Sequence, residues 1–344
     1  MEKQEINSPA NLMEMANAFR LSRIILTANE LCIFDLLASD VNSSDWVAAQ
    51  LQTHPRATDR LLNALVAVGL LHKHENMFRN TDFSAKFLVK TSPAYLGGLS
   101  LSNQTWKTWS TLTDVMYKGT SIAMESSINE RTNVWRESFI AAMHARAGQQ
   151  AIEAASVMDL SATRKLLDVG GGSGAFSYSM IRQNPSITAT VFDLPNIIPL
   201  TKKYIQASGF SGQVDTITGD YLVDDFGSGY DLVFMSAIIH INSPEENMLL
   251  IRKGTEALNA GGQLVILDHI MNDDRTEPSV GAVFALNMLV GTIHGDTYTE
   301  NEISSWMRDA GLTDIVLKET PSGNQIIIGK KPGRFDLPVN GFSE

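Results

Sequence analysis

The chain has 344 residues, more than one hydrophobic core usually holds, so two domains are expected. Hydrophobic residues make up 44% and charged residues 19%, the balance of a globular chain and not of a disordered one. Lys and Arg number 27 against 38 Asp and Glu, and the net charge of −11 argues against a phosphate-backbone partner, which needs a positive face.

The N-terminus, MEKQEINSPANLMEMANAFR, has no basic stretch leading into an apolar one, so no secretory signal is expected. Leu21, Ile24, Ile25, Ala28, Leu31 and Cys32 recur at three- and four-residue spacing, which predicts a helix. Cys32 is the single cysteine, so neither an internal disulfide nor a cysteine-based zinc site can form. Ser44-Asp45 reads as a cap for a helix over Trp46 to Leu51, and His54-Pro55 as a break. RATDRLLNALVAVGLL is a second helix ending near Gly69, and LLHKHENMFRNTDFSAKFL reads as two short strands around a polar turn at His74 to Asn76. Helix, turn, helix and wing invite a DNA-binding reading. The segment after Arg56 offers only Arg56, Arg60 and Asn63 for such contacts before it turns apolar, so a packing or dimerising module is the better reading.

The grammar changes near Ser161, which divides the chain into a helical part, 1–160, and an α/β part, 161–344. RKLLDVGGGSG is a strand ending in a glycine loop, and FSYSMIRQN continues it as a helix. TATVFDLP, VDTITGDYL, YDLVFMSAII, GGQLVILDHI, DIVLKE and NQIIIGKK read as further strands. Helices are expected over Asn196 to Ser208, around Glu245 to Leu258 and near Glu300 to Ala310. The alternation predicts an α/β fold with a doubly wound sheet. The tail after Lys331 reads as an irregular extension, and no uncharged apolar run reaches the ~18 residues of a membrane helix. A soluble chain of a reducing compartment follows, most simply cytoplasmic.

In such sheets ligands bind beyond the carboxyl ends of the strands, near the switch point. Gly170, Gly172 and Gly174 lie in the loop after the first strand, where glycine permits a tight turn and close approach of a ligand. The loop alone also fits a dinucleotide fingerprint, with Asp193 placed for a ribose diol. The acids separate the two options. Asp168, two residues before the loop, suits a ligand that carries positive charge. Asp193 ends the second strand, and Asp220 and Tyr221 end the third, where they can meet an adenine amino group and ring. Acids at three successive strand ends point to S-adenosylmethionine more than to NAD.

The sequence resembles the S-adenosylmethionine-dependent O-methyltransferases that include plant caffeate, animal hydroxyindole and bacterial antibiotic enzymes. The resemblance rests on LTANELCIFDLLA, NTDFSAKFL, WSTLTDVMYKGT, SFIAAMHARA, LLDVGGGSGAFS, VFDLPNII, GDYL, GGQLVILDHI and TYTENEISSWMRDAGL. It implies an N-terminal winged-helix-type dimerisation domain, a C-terminal Rossmann-like catalytic domain, and homodimers in which each N-terminal region helps close the partner's pocket. The family likeness also implies that Leu194 and Ser236 belong to the cofactor site, Ser236 standing where plant members carry a lysine. Of seven histidines, His240 falls on the family's general base, and Asp268 on an acid that often stands beside it. Trp106, Met143, His144, Asn287 and Met288 match pocket-lining stretches, which implies an apolar pocket for a flat aromatic or polyketide-like small molecule. His269 and His294 are expected near its rim, and His54, His72 and His74 in the winged-helix module. No metal and no nucleic acid or membrane partner is implied. The family's acid after the base is Ile241 here, and a second family acid is Thr297. Methyl transfer is the reading adopted; an alternative keeps the cofactor and runs decarboxylation, hydroxylation or a pericyclic reaction.

Overall fold

The computed structural model describes residues 6–122 and 133–333. The tail expected after Lys331 lies, from residue 334, outside the described residues. The chain divides into two compact units between Lys107 and Thr108.

The N-terminal unit opens with α1 (Pro9–Asn17), whose Ser8 cap accepts from the Asn11 amide, then α2 (Phe19–Glu30) and α3 (Ile33–Leu36). Cys32 falls between the last two with φ +54°, so the predicted helix stops before it. After β1 (Asn42–Ser43) come α4 (Ser44–Leu51), capped by Ser43 through the Trp46 amide, and α5 (Pro55–Ala67), then β2 (Leu71–His74) and β3 (Met77–Asn80). The three strands pair antiparallel in the order β1-β3-β2, so the wing has one strand more than expected. DFSAKF is not part of a strand. It forms α6 (Asp82–Phe87), because the Thr81 hydroxyl accepts the Ser84 amide and caps a helix there. Phe34, Val47, Leu62, Leu65 and Phe78 are fully buried and hold this unit together.

After α7 (Gly98–Trp109), α8 (Leu112–Lys118) and α9 (Asn133–Val157) the Rossmann-like unit follows as alternating elements. These are β4 (Lys165–Val169), α10 (Ala175–Gln183), β5 (Thr188–Asp193), α11 (Ile198–Ser208), β6 (Val214–Thr218) and β7 (Tyr230–Ser236). Then come α12 (Pro244–Ala257), β8 (Leu258–Asp268), β9 (Ile270–Met271), α13 (Ser279–Gly291), β10 (Tyr298–Thr299), α14 (Glu300–Asp309), β11 (Thr313–Glu319) and β12 (Gln325–Lys330). Seven strands pair in the order β11-β12-β8-β7-β4-β5-β6. The five from β8 to β6 are parallel, whereas β12 pairs antiparallel with β8, and β11 antiparallel with β12. Successive residues feed opposite faces. Leu166 and Phe234 join a core with α9 and α10, while Leu167 and Val233 join one with α12 and α14. Both faces are covered, as the near-continuous apolar strands require.

The unit boundary lies well before Ser161, the point where the sequence changes grammar. The reason is α9, which buries Ala147, Ala151, Ala154 and Ala155 in the sheet's own core. Small side chains at these spacings let the helix lie close on α10, so it belongs to the sheet although it precedes the first strand.

Phe234 stands at the centre of the sheet, paired with Asp168 of β4 and Val265 of β8, its ring 5.1 Å from that of Phe176. Phe234→Ala is expected to lower stability by about 3–5 kcal/mol, read from urea unfolding of the full chain. A loss below about 1 kcal/mol would mean that the site collapses without a cavity.

Candidate active site

Strand order reverses beside β4, which has β5 on one side and β7 on the other. The carboxyl ends of β4 and β7 therefore frame a crevice. Gly172 has φ +56° in the loop after β4, and its amide donates to Asp193 Oδ2 at 2.8 Å, tying the loop to the end of β5. Gly170 (φ +66°) would place a Cβ 2.8 Å from Ile238, so only glycine fits beneath that side chain. Gly174 is the N-cap of α10. Thr201 of α11 donates to the Gly172 carbonyl at 2.6 Å and closes the loop from the other side.

Asp168 is buried, with Oδ2 accepting from Ser177 at 2.7 Å and Oδ1 left without a hydrogen-bond partner. Burial pushes its carboxyl up to about 6 against the Ser177 hydrogen bond, with the nearby Asp193 adding to the rise. Asp193 accepts from the Gly172 and Leu194 amides, one on each oxygen, and each oxygen keeps a lone pair for a diol. Burial also raises its carboxyl to about 6. Asp220 holds its own loop through the Leu222 amide at 2.9 Å, and Tyr221, half-buried, donates its hydroxyl to Asn242 at 2.9 Å. An orphaned buried carboxylate oxygen and a diol-sized acceptor pair fit the cationic amino-acid end and the ribose of S-adenosylmethionine. Ser236 ends β7, on the opposite side of β4 from β5 and β6, and so lies apart from the Asp193 and Asp220 strand ends.

His240 is not at the end of a strand. β7 stops at Ser236, Ala237 turns the chain with φ +55°, and His240 sits in a one-turn 3₁₀ helix, Ile239–Ile241. Its Nδ1 lies 2.7 Å from Asp268 Oδ1, and both side chains are largely buried. Burial raises the Asp268 carboxyl, but the charge and hydrogen bond of His240 and the His269 amide outweigh it and hold the group below the usual carboxylate range. An ionised Asp268 can only accept, so Nδ1 carries a proton, and in a neutral ring Nε2 is then the acceptor.

The turn is braced on every side. Asn247 donates to the Ile239 carbonyl at 2.9 Å, the Asp296 amide to the His240 carbonyl at 3.1 Å, and Tyr298 to the Asn242 carbonyl. Phe284 of α13 lies edge-to-face with His240 at 4.9 Å and tilted against His269 at 4.2 Å. Burial lowers the His269 imidazole, partly opposed by Asp268. Sequence reasoning missed Phe284, Asn242, Asn247 and Asp296. Of these, only Asn247, a polar residue on the buried face of α12, left a signal.

The pocket-lining expectations separate. His144 reaches the glycine loop: its Nδ1 is 2.8 Å from Ser173 Oγ, and its ring packs 4.5 Å from that of Tyr204. Ile140, one turn earlier, lies over Gly172. Burial lowers the His144 imidazole. Asn287 accepts from the Trp109 indole at 2.9 Å, and Met288 is buried. Met143 is half-buried on α9. Trp106 belongs to the N-terminal unit, where it packs on Phe19 and under Arg23.

An O-methyltransferase domain model matches residues 110–313, and an O-methyltransferase dimerisation domain model matches residues 13–90. The chain belongs to the O-methyltransferase family. The two matches flank the unit boundary seen in the structure. Among relatives, the 3-hydroxy-5-methyl-1-naphthoate 3-O-methyltransferase of Streptomyces sahachiroi is 31% identical over 94% of this chain and 95% of its own length. An O-methyltransferase family protein from Burkholderia thailandensis superposes with TM-score 0.83 and 27% identity, over 96% of this chain and all of that one. Human N-acetylserotonin methyltransferase, solved in complex with S-adenosylmethionine, gives TM-score 0.79 and 25% identity over the same shares. The protein is thus a small-molecule O-methyltransferase of the antibiotic and hydroxyindole type.

The raised carboxyls give this methyltransferase a pH signature. Between about pH 4 and 6 the folded chain holds protons on Asp168 and Asp193 that the unfolded chain has released. The ligand-free fold therefore loses stability as pH rises through that window and levels off above it. A cation and a diol favour the ionised carboxyls, so affinity for S-adenosylhomocysteine is expected to move the other way. It should weaken about tenfold for each acid from pH 7.5 to 5, with protons released on binding near pH 6, both read by calorimetry in buffers of differing ionisation enthalpy. Affinity flat across that range would remove both acids from the cofactor site.

Proposed function

We propose that this methyltransferase moves the methyl group of S-adenosylmethionine to a phenolic hydroxyl of a small aromatic or polyketide-like acceptor, with His240 as the base. The 2.7 Å bond between His240 Nδ1 and Asp268 carries this reading, because it fixes the tautomer in which a neutral ring presents Nε2 to accept a proton. Asp168, Asp193 with Leu194, Asp220 and Tyr221 hold the cofactor over the loop of Gly170, Gly172 and Gly174. When bound, the cofactor supplies an electrophilic methyl group on a sulfonium. The chain's own work is to orient the acceptor and take its proton.

Phenols have a pKa of about 10 and a neutral imidazole about 6.5, so the proton transfer costs about 4.8 kcal/mol in water. A sulfonium beside the forming phenolate offsets part of that cost, and an ionised Asp268 stabilises the imidazolium. One braced histidine is therefore enough for a phenol and too weak for an aliphatic alcohol. The relative named for 3-hydroxy-5-methyl-1-naphthoate supports an aromatic acceptor. Phe284 beside His240 offers such a ring a flat apolar contact.

The dimerisation match supports a homodimer formed through the N-terminal unit. No helix of the described residues is long and apolar enough to cross a membrane. The acidic charge and single cysteine favour the cytoplasm and weigh against DNA as a partner of the winged-helix unit.

His240→Ala is expected to lower kcat by about 10²–10⁴-fold while S-adenosylhomocysteine affinity stays unchanged in calorimetry. Full activity in that variant would end the general-base role. Acceptor consumption without formation of S-adenosylhomocysteine would favour the non-methylating alternative.

A further inference from the structure

We propose that Tyr221, Asn242 and Asn247 form a relay through which the occupied adenine end of the cofactor site fixes the turn carrying His240. The relay rests on reading His240 as the base and Tyr221 as a cofactor contact. It makes Asn242 and Asn247 positioning residues, since neither faces the reacting atoms.

Three hydrogen bonds run in one direction. The Tyr221 hydroxyl donates to Asn242 Oδ1 at 2.9 Å, Asn242 Nδ2 to Asn247 Oδ1 at 3.2 Å, and Asn247 Nδ2 to the Ile239 carbonyl at 2.9 Å. That carbonyl belongs to the peptide that leads into His240. Asn242 and Asn247 are 3% and 0% exposed, so breaking one link leaves a buried amide short of a partner. Bonds pointing the same way polarise one another, which makes the chain respond as a unit. Its far end is held as well, because Lys253 of α12 donates to the Tyr221 carbonyl. Burial pushes the Tyr221 hydroxyl up to about 12, so it stays a donor across the working range of pH.

The loop after β6 and the turn after β7 come from different strands, and packing alone would need no polar link between them. Tyr221 is half-buried, so part of its ring stays open for the cofactor to cover. Ordering that ring before the acceptor arrives lowers the cost of holding His240 in line. The amides of Ile241 and Asn242, which bond to the Ile238 and Ile239 carbonyls at 3.2 and 3.3 Å, report the state of the turn.

The test is hydrogen–deuterium exchange of residues 238–247 in the full chain, with and without S-adenosylhomocysteine. Wild-type protein and Tyr221→Phe are compared, with calorimetry for affinity. In wild type the ligand should slow exchange of that segment. Tyr221→Phe keeps the ring, so it should bind within about threefold of wild type. It should nevertheless lose most of the slowing and about five- to tenfold in kcat, with KM for S-adenosylmethionine unchanged. Asn242→Leu should show the same losses, and the double variant should add little to either. Slowing and kcat both intact in Tyr221→Phe would overturn the relay while leaving the cofactor reading in place. Failure of wild type to bind S-adenosylhomocysteine would overturn the cofactor reading and the relay together.

Discussion

The position of β4 between β5 and β7 is the constraint on which the rest depends. Because the strands on both sides run parallel to it, their carboxyl ends meet on one edge, and chain order reverses there. The side chains discussed for cofactor or catalysis within this unit lie near the carboxyl ends of the parallel strands β4 to β8 or on neighbouring helices. A sheet buried on both faces also excludes water from the roots of those side chains. Burial in turn raises Asp168 and gives the bond between His240 and Asp268 its strength.

Asp168 and Asp268 make an instructive pair. Each is a buried carboxylate at the end of a parallel strand, and each has one oxygen without a hydrogen-bond partner. Asp268 has an imidazole against its other oxygen and remains ionised. Asp168 has only a hydroxyl there, so burial wins and its carboxyl rises. The same chemical group is therefore settled in one place by the protein and left in the other for a ligand to settle. In the proposed reading, that division separates the acid that orients the histidine from the acid that meets the cofactor.

Much of this was legible in the sequence. The helix–turn–helix with its wing, the alternating elements and the loop around Gly170 to Gly174 follow from periodicity and glycine chemistry, which are local. What escaped is non-local. YDLVFMSAII reads as one apolar strand, yet Ala237 turns the chain and His240 lands in a separate turn, because Ile238 must pass over Gly170. α13 is apolar nearly all round and carries no amphipathic stripe to announce it. The contact of His144 with Ser173 likewise depends on its helix lying across the glycine loop. Polar braces such as Asn242 and Asp296 have no motif at all, because their roles depend on which carbonyl the fold brings to them.

Gly295 carries a consequence for anyone who would alter acceptor choice. A Cβ there would sit 2.4 Å from the His240 carbonyl and 2.5 Å from the Thr292 hydroxyl, and the next amide already holds that carbonyl. The loop between α13 and β10 is thus moulded onto the backbone of the histidine it accompanies. Loop grafts from relatives, a natural route to new acceptors, would have to carry a glycine and a free amide in that register. A graft one residue longer or shorter would shift the histidine before it changed the pocket.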